Sequence, residues 1–285
     1  MMKLSKKIAL CYEKLSRIAT SEIVGESVLG REIRLFRFGT DPKIVLFGGI
    51  HAREWITTLL LTRLAEEESG LSFDLVPCLN PDGASLCFDG INSVPDGLLR
   101  QELLKINGSD DFSLWKANAR AVDLNVNFDA DWGEGRLNVT EKSPSNYIGP
   151  LPESEPETRV AVNVLAKNYA LAVSFHSLGE EVYWGYESNF RFYKEAKTYA
   201  DYLNYALKRS EHSSGGLKDY YALNYDGLGL TVEVGEEKYG HPYPESELEK
   251  LVKKHSGSIK LLTELGEKIY DRLYGGSVKG SEKGI

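Results

Sequence analysis

Basic surplus, paired cysteines and long apolar runs are all scarce in this chain. Lysine and arginine number 34 against 42 acidic residues over 285 positions, a formal charge of −8. A nucleic-acid partner calls for a basic face that neutralises phosphates, so none is expected. Cysteine occurs three times, at Cys11, Cys78 and Cys87. The count is odd and the spacing unlike a metal site, so each is read as a small buried apolar residue and no disulfide is expected. The apolar runs at 44–50 and 59–61 fall far short of the roughly 20 residues that cross a bilayer, which argues against a membrane partner. Lys3, Lys6 and Lys7 precede a short apolar stretch at 8–12, but Glu13 and Lys14 cut it off before it can serve as an export signal. On that reading the location is cytoplasmic.

What remains is ordinary globular material, 42% hydrophobic and 11% aromatic, enough for one sizeable core. Apolar residues at helical spacing predict a helix over 4–19, and further helices are expected at 55–68, from 154 to 167 with Ser154 as cap, at 190–208 and across 245–273. Strands are expected at 31–38, 43–50, 73–79, 170–175 and 229–234, with Asn80-Pro81-Asp82-Gly83 as a turn and 88–154 mostly loop. Helices alternating with β-rich runs imply a single α/β domain over 1–275, with a central mixed, mainly parallel β-sheet flanked by helices on both faces. The stretch 276–285 is expected to be a disordered tail.

In open α/β sheets reactive groups collect beyond the C-terminal ends of strands. Three of the expected strands end in titratable residues: His51, His176 and Glu233. Within His51-Ala52-Arg53-Glu54, an imidazole and a carboxylate stand three residues apart at a strand-to-helix turn. Such a pair is commonplace by itself, but His176 from another strand completes a two-histidine, one-glutamate set of the kind that holds a catalytic zinc ion. His212, His241 and His255 lack ligand spacing and are read as non-metal.

The chain resembles the zinc metallocarboxypeptidases over almost its whole length. Gly48-Gly49-Ile50-His51-Ala52-Arg53-Glu54-Trp55 resembles their first ligand motif, Asn80-Pro81-Asp82-Gly83 the turn after the next strand, and Val122-Asp123-Leu124-Asn125-Val126-Asn127-Phe128 their substrate-binding stretch. Ser174-Phe175-His176-Ser177 resembles the third-ligand motif and Thr231-Val232-Glu233 the general-base strand. The resemblance implies one Zn2+ per chain on His51, Glu54 and His176, with Glu233 as general base. It further implies a cation that stabilises the oxyanion, either Lys116 or Arg120, and substrate contacts at Arg53, Asn125 and Ser177.

This chain departs from the family at two points. Members that trim single C-terminal residues follow the asparagine with an arginine that clamps the terminal carboxylate; here Asn125 is followed by Val126, which binds no anion. A family tyrosine expected shortly before Gly215-Gly216 is missing, and Tyr220 or Tyr221 would have to replace it. The segments 175–184 and 215–220 resemble instead bacterial enzymes that cut cell-wall peptides between γ-D-glutamate and meso-diaminopimelate. That likeness implies a small peptide substrate, a muropeptide or stem peptide, with Lys218 and Asp219 opposite its zwitterionic side chain. Tyr183, Trp184 and Tyr186 are read as cleft wall or core packing. Rival readings are a broader carboxypeptidase, an amidohydrolase of N-acyl amino acids with the same ligand set, and an inactive peptide-binding module; the last requires loss of a ligand or base, and all four residues are present.

Overall fold

Short β-branched and aromatic runs assemble into one eight-stranded sheet in the computed structural model, which describes residues 2–275 apart from 168, 188 and 211–213. The expected tail at 276–285 and His212 lie outside the described residues. In chain order the elements are α1 (Leu4–Ser16), β1 (Thr20–Glu26), β2 (Glu32–Phe38), β3 (Ile44–Phe47), α2 (Ile56–Glu67), β4 (Phe73–Val76), α3 (Pro81–Asp89), α4 (Gly97–Asn107), α5 (Pro156–Leu165), β5 (Leu171–Ser177), β6 (Glu181–Trp184), α6 (Tyr193–Leu203), β7 (Ala206–Arg209), α7 (Leu217–Asn224), β8 (Leu228–Val234), α8 (Leu248–His255) and α9 (Ser258–Tyr274). In space the strands run β1-β2-β4-β3-β5-β8-β6-β7. Parallel pairs join β4, β3, β5 and β8 in the centre, and the sheet is mixed as expected, with antiparallel pairs at β1-β2, β2-β4 and β6-β8.

Strand periodicity explains why both faces are covered. Ile44 and Leu46 of β3 and Leu171, Val173 and Phe175 of β5 join the larger core cluster, which α1, α2, α6 and α9 also fill. The alternate residues Val45, Phe47 and Ala172 face a second cluster, closed by Val160, Ala161 and Val164 of α5 and by Leu217 and Tyr221 of α7. Side chains on a strand point alternately to opposite faces, so a strand apolar at every position needs helices on both sides. The three cysteines are free and buried, and no helix among the described residues is long and apolar enough to cross a membrane.

Several local expectations need correction. Asn80-Pro81-Asp82-Gly83 opens α3 rather than ending in a turn: Asn80 caps the helix by accepting the Gly83 N–H at 2.9 Å, and Pro81 fits the first helical position. The same residue types signal turns and helix starts, which is why the two were confused. The loop expected at 88–154 contains α4, capped by Asp96 at its start and by left-handed Gly108 at its end. The helix expected at 190–208 stops at Leu203, where left-handed Asn204 turns the chain into β7. β1 and β6 were not anticipated. At the start of α5 the cap position is Glu155, and Ser154 Oγ instead donates to the Glu155 carboxylate at 2.8 Å.

Helix α9 lies so close to the sheet that a Cβ on Gly266 would come within 2.2 Å of Ile44 Cγ2. Gly266→Ala is expected to overpack this contact and to destabilise the fold by roughly 1–3 kcal/mol despite the better helix propensity of alanine. Urea unfolding checks it: the midpoint falls with an unchanged slope, whereas an equal or higher midpoint would show that the contact relaxes freely.

Candidate metal centre and cleft

Gly48 and Gly49 carry the chain from β3 over the edge of the sheet. Gly49 has φ +57°, and a Cβ there would lie 2.7 Å from Thr58 Oγ1, so the sharp turn that ends at His51 demands glycine. His51 leads a short helical turn over Ala52–Glu54, which brings the Glu54 carboxylate back beside its own imidazole. His176 arrives from the neighbouring strand, in parallel register with Glu233 on the next one. The end of β3 is also where the sheet divides, since its crossovers lead to β4 on one side and to β5 on the other.

The three side chains converge in a buried spot. His51 Nδ1 lies 2.9 Å from Glu54 Oε1, His176 Nδ1 lies 2.9 Å from Glu54 Oε2, and the two Nδ1 atoms are 3.0 Å apart. Their candidate ligand atoms all fall within 4.8 Å of one another. Donors about 2.1 Å from a tetrahedral zinc ion stand roughly 3.4 Å apart, so small outward shifts would seat the ion. Two nitrogens and one carboxylate, with no fourth protein ligand among the described residues, is the donor set of a catalytic rather than a structural zinc site. Burial works against the Glu54 charge, but the two histidines outweigh it and hold its carboxyl well below the usual range.

Behind the ligands stands Asp123, which sequence reasoning placed in a motif without assigning it a role. Its Oδ1 lies 3.2 Å from His51 Nε2, its Oδ2 is 2.8 Å from Lys116 Nζ, and it accepts the N–H groups of Asn125 and Asn146 at 3.1 and 3.0 Å. Burial alone would raise its pKa; Lys116 and His51 together hold it far below the usual carboxylate range. Glu54 is braced in turn by the Ser177 N–H at 3.3 Å.

In front of the ligands opens a cleft of about 480 Å³ whose lining includes Glu233, Lys116, Asn125, Tyr183, Lys218 and Asp219. Burial pushes the Glu233 carboxyl up to about 8, with Glu54 and Glu181 adding to the rise and His176 and Lys116 opposing it. Asn125 Oδ1 accepts the Leu217 N–H at 3.1 Å, which ties the start of α7 to this wall. Lys218 and Asp219 form a buried ion pair, and Lys218 Nζ also donates to the Gly185 carbonyl at 2.8 Å.

The sequence profile of the zinc carboxypeptidases matches residues 5–68 and 69–257. The chain belongs to the zinc carboxypeptidase family. It is 30% identical over 261 residues to gamma-D-glutamyl-L-diamino acid endopeptidase 1 of Lysinibacillus sphaericus, covering 82% of this chain and 64% of that protein. It is likewise 30% identical over 250 residues to the protein YqgT of Bacillus subtilis (strain 168), covering 77% of this chain and 66% of the relative. The chain thus spans just under two thirds of the length of both. Among solved structures, bovine thrombin-activatable fibrinolysis inhibitor superposes with a TM-score of 0.71 at 20% identity, over 94% of this chain and 96% of the other. Murein-tripeptide amidase MpaA from Escherichia coli O157 gives 0.57 at 23% identity, over 86% and 91%. At those identities the likeness concerns the fold.

In this member of the zinc carboxypeptidase family the residues expected at the site do not all reach it. Arg120 is half exposed and turned to Glu155, 3.7 Å away, while Lys116 lines the cleft beside Glu233. Ser177 is buried, with its backbone on Glu54, and does not line the cleft. Arg53 sits in the ligand turn with its Nε buried and without a hydrogen-bond partner among the described residues. Neither proposed replacement tyrosine faces the cleft: Tyr221 is buried with its hydroxyl on the Tyr169 carbonyl, and Tyr220 packs against Phe128 and Tyr225. Tyr183 lines the cleft, whereas Trp184 packs on Phe190 and Tyr193, and Tyr186 donates to Asp131 at 2.7 Å. His241, read from the sequence as non-metal, lies outside the ligand set. Burial pushes its pKa down to about 4, Glu54 works the other way, and Arg53 and His51 add to the fall, so it belongs to the same electrostatic neighbourhood.

If Asp123 orients His51 for the metal, Asp123→Asn lowers zinc affinity by about 10- to 100-fold, the usual effect of losing such a support. Competition against a chromophoric chelator measures it, and an unchanged affinity would leave Asp123 with a purely structural role.

Proposed function

We propose that this chain is a zinc-dependent peptidase of cell-wall peptides that hydrolyses the bond between γ-D-glutamate and meso-diaminopimelate. The observation that carries the reading is the cleft wall: Val126 stands where a clamping arginine would follow Asn125, and a buried Lys218–Asp219 pair lines the same cleft as Glu233. A pocket that offers a cation beside an anion suits a side chain that is itself zwitterionic. Similarity to a gamma-D-glutamyl-L-diamino acid endopeptidase supports the reading, and a murein-tripeptide amidase shares the fold.

Bound at His51, Glu54 and His176, zinc supplies Lewis acidity and makes water a better acid. Glu233 accepts the proton of the attacking water and later delivers it to the leaving amine nitrogen. A buried carboxyl with a raised pKa holds a proton well enough to perform the second step, and the positive charge of a zinc ion beside it would lower that pKa towards what the first requires. Lys116 also lends positive charge to the oxyanion. Its link to Asp123 fixes its position before substrate arrives.

The second reading, removal of single C-terminal residues, has support in similarity to carboxypeptidase B of Helicoverpa zea, 31% identical over 201 residues. Val126 counts against it.

Mass analysis of products distinguishes the two. Zinc-loaded protein is expected to release free meso-diaminopimelate from L-Ala-γ-D-Glu-meso-diaminopimelate, and Glu233→Gln to slow this by about 10²- to 10⁴-fold with zinc still bound. Faster cleavage of ordinary α-linked peptides would favour the carboxypeptidase reading. Full activity in Glu233→Gln would remove Glu233 from the mechanism.

A further inference from the structure

Asn146 belongs to no ligand or base motif, yet it lines the cleft together with Lys116 and Glu233. Its backbone sits at φ +63°, and among the described residues that line the cleft it alone combines a side chain with a left-handed conformation. Asparagine tolerates that region better than most side chains do, and glycine adopts it freely.

Backbone ties on every side fix Asn146 next to Lys116. The Pro144 carbonyl accepts the N–H groups of Lys116 and Ala117 at 3.0 and 3.1 Å, the Asp123 N–H donates to the Tyr147 carbonyl at 2.9 Å, and the Asn146 carbonyl accepts the Val139 N–H at 2.9 Å. The Asn146 N–H donates to Asp123 Oδ2 at 3.0 Å, and the same oxygen lies 2.8 Å from Lys116 Nζ. The side chain completes the arrangement, with Oδ1 at 3.5 Å from Lys116 Nζ. An ammonium has donors only, so an amide beside it turns its oxygen towards it and its NH2 away. Nδ2 is left without a hydrogen-bond partner among the described residues. Because a carboxamide holds its oxygen and nitrogen side by side in one plane, an ammonium and an NH2 group stand next to each other in the cleft. A single oxygen about 2.9 Å from each can use both.

We propose that Asn146 Nδ2 is a second hydrogen-bond donor to the oxyanion, beside Lys116, and so a catalytic residue of the hydrolysis. This rests on the peptidase reading above, whichever peptide bond is cut. Addition of water to the scissile carbonyl moves the π pair of the C=O bond onto its oxygen. The pair returns when the C–N bond breaks and the amine leaves with the proton that Glu233 carried. Asn146 gains and loses no atom in either step; its NH2 group binds more strongly as charge develops on the oxygen and less strongly as that charge disappears. A donor already held in place by its backbone gives this stabilisation without reorganising at the moment of reaction.

Asn146→Gly and Asn146→Asp separate this role from mere support of Lys116. Glycine accepts the left-handed backbone and removes the whole carboxamide, whereas aspartate keeps an oxygen towards Lys116 and removes only the NH2 group. Zinc-loaded protein is titrated calorimetrically with a phosphinate analogue of γ-D-glutamyl-meso-diaminopimelate, whose tetrahedral phosphorus bears a charged oxygen in place of the oxyanion. Both variants are expected to bind it about 10²-fold more weakly than wild type, while affinity for the product meso-diaminopimelate does not follow. With L-Ala-γ-D-Glu-meso-diaminopimelate as substrate, the same loss falls on kcat rather than on KM. Wild-type phosphinate affinity in Asn146→Gly overturns the donor role, and so does wild-type affinity in Asn146→Asp, which would leave only support of Lys116. A wild type that binds the phosphinate no better than the product overturns it as well. Phosphinate binding that depends on Asn146 in a protein that does not cut the tripeptide would sink the peptidase reading and leave the donor standing.

Discussion

Two imidazoles and a carboxylate buried within hydrogen-bond distance of each other are the constraint on which the rest of this molecule turns. An ionised carboxylate taken out of water is costly unless a positive charge compensates it. The histidines serve that purpose in part, and a divalent cation serves it fully. The parallel run of β3, β5 and β8 puts His51, His176 and Glu233 at the same rim of the sheet, and the glycines before His51 let the chain turn sharply enough to bring Glu54 back to it. The second layer follows the same electrostatic logic: Asp123 holds His51 and Lys116 at once, so one buried carboxylate positions both a candidate ligand and a cation that lines the cleft.

The cleft extends the same economy of charge to the substrate. Lys116, Lys208 and Lys218, which line it, are each matched by an acid. Val126 removes a carboxylate contact from the place where relatives that trim single residues need one. The candidate metal ligands and Glu233 stand at the ends of β3, β5 and β8, while Tyr183 of β6 and Lys208 of β7 line the cleft beside them.

The parts of this arrangement legible in the sequence are those governed by short-range chemistry. Continuous apolar runs marked the central strands, and titratable residues at their ends marked the candidate ligands and base, because a strand buried on both faces leaves nowhere for a polar residue except its exit. β1, β6 and β7 escaped because they carry Glu22, Glu26, Glu181, Lys208 and Arg209 among few apolar residues, and a strand near the sheet edge is held by its neighbour's backbone rather than by its own hydrophobicity. Asn80 and Pro81 belong to both turn and helix-start vocabularies, and only the packing of α3 decides between them. The choice between Lys116 and Arg120 depended on which way four intervening positions turn the chain. In the structure Asn118 Oδ1 accepts the N–H groups of Arg120 and Val122, and Arg120 lies 3.7 Å from Glu155 while Lys116 lines the cleft.

Metal stoichiometry tests the central claim most directly. Protein dialysed against zinc and then against metal-free buffer should retain one zinc per chain by elemental mass spectrometry, and His176→Ala should retain none above background while staying folded by circular dichroism. Equal retention of zinc by His176→Ala, or none in the wild type, would contradict the metal centre on which the account is built.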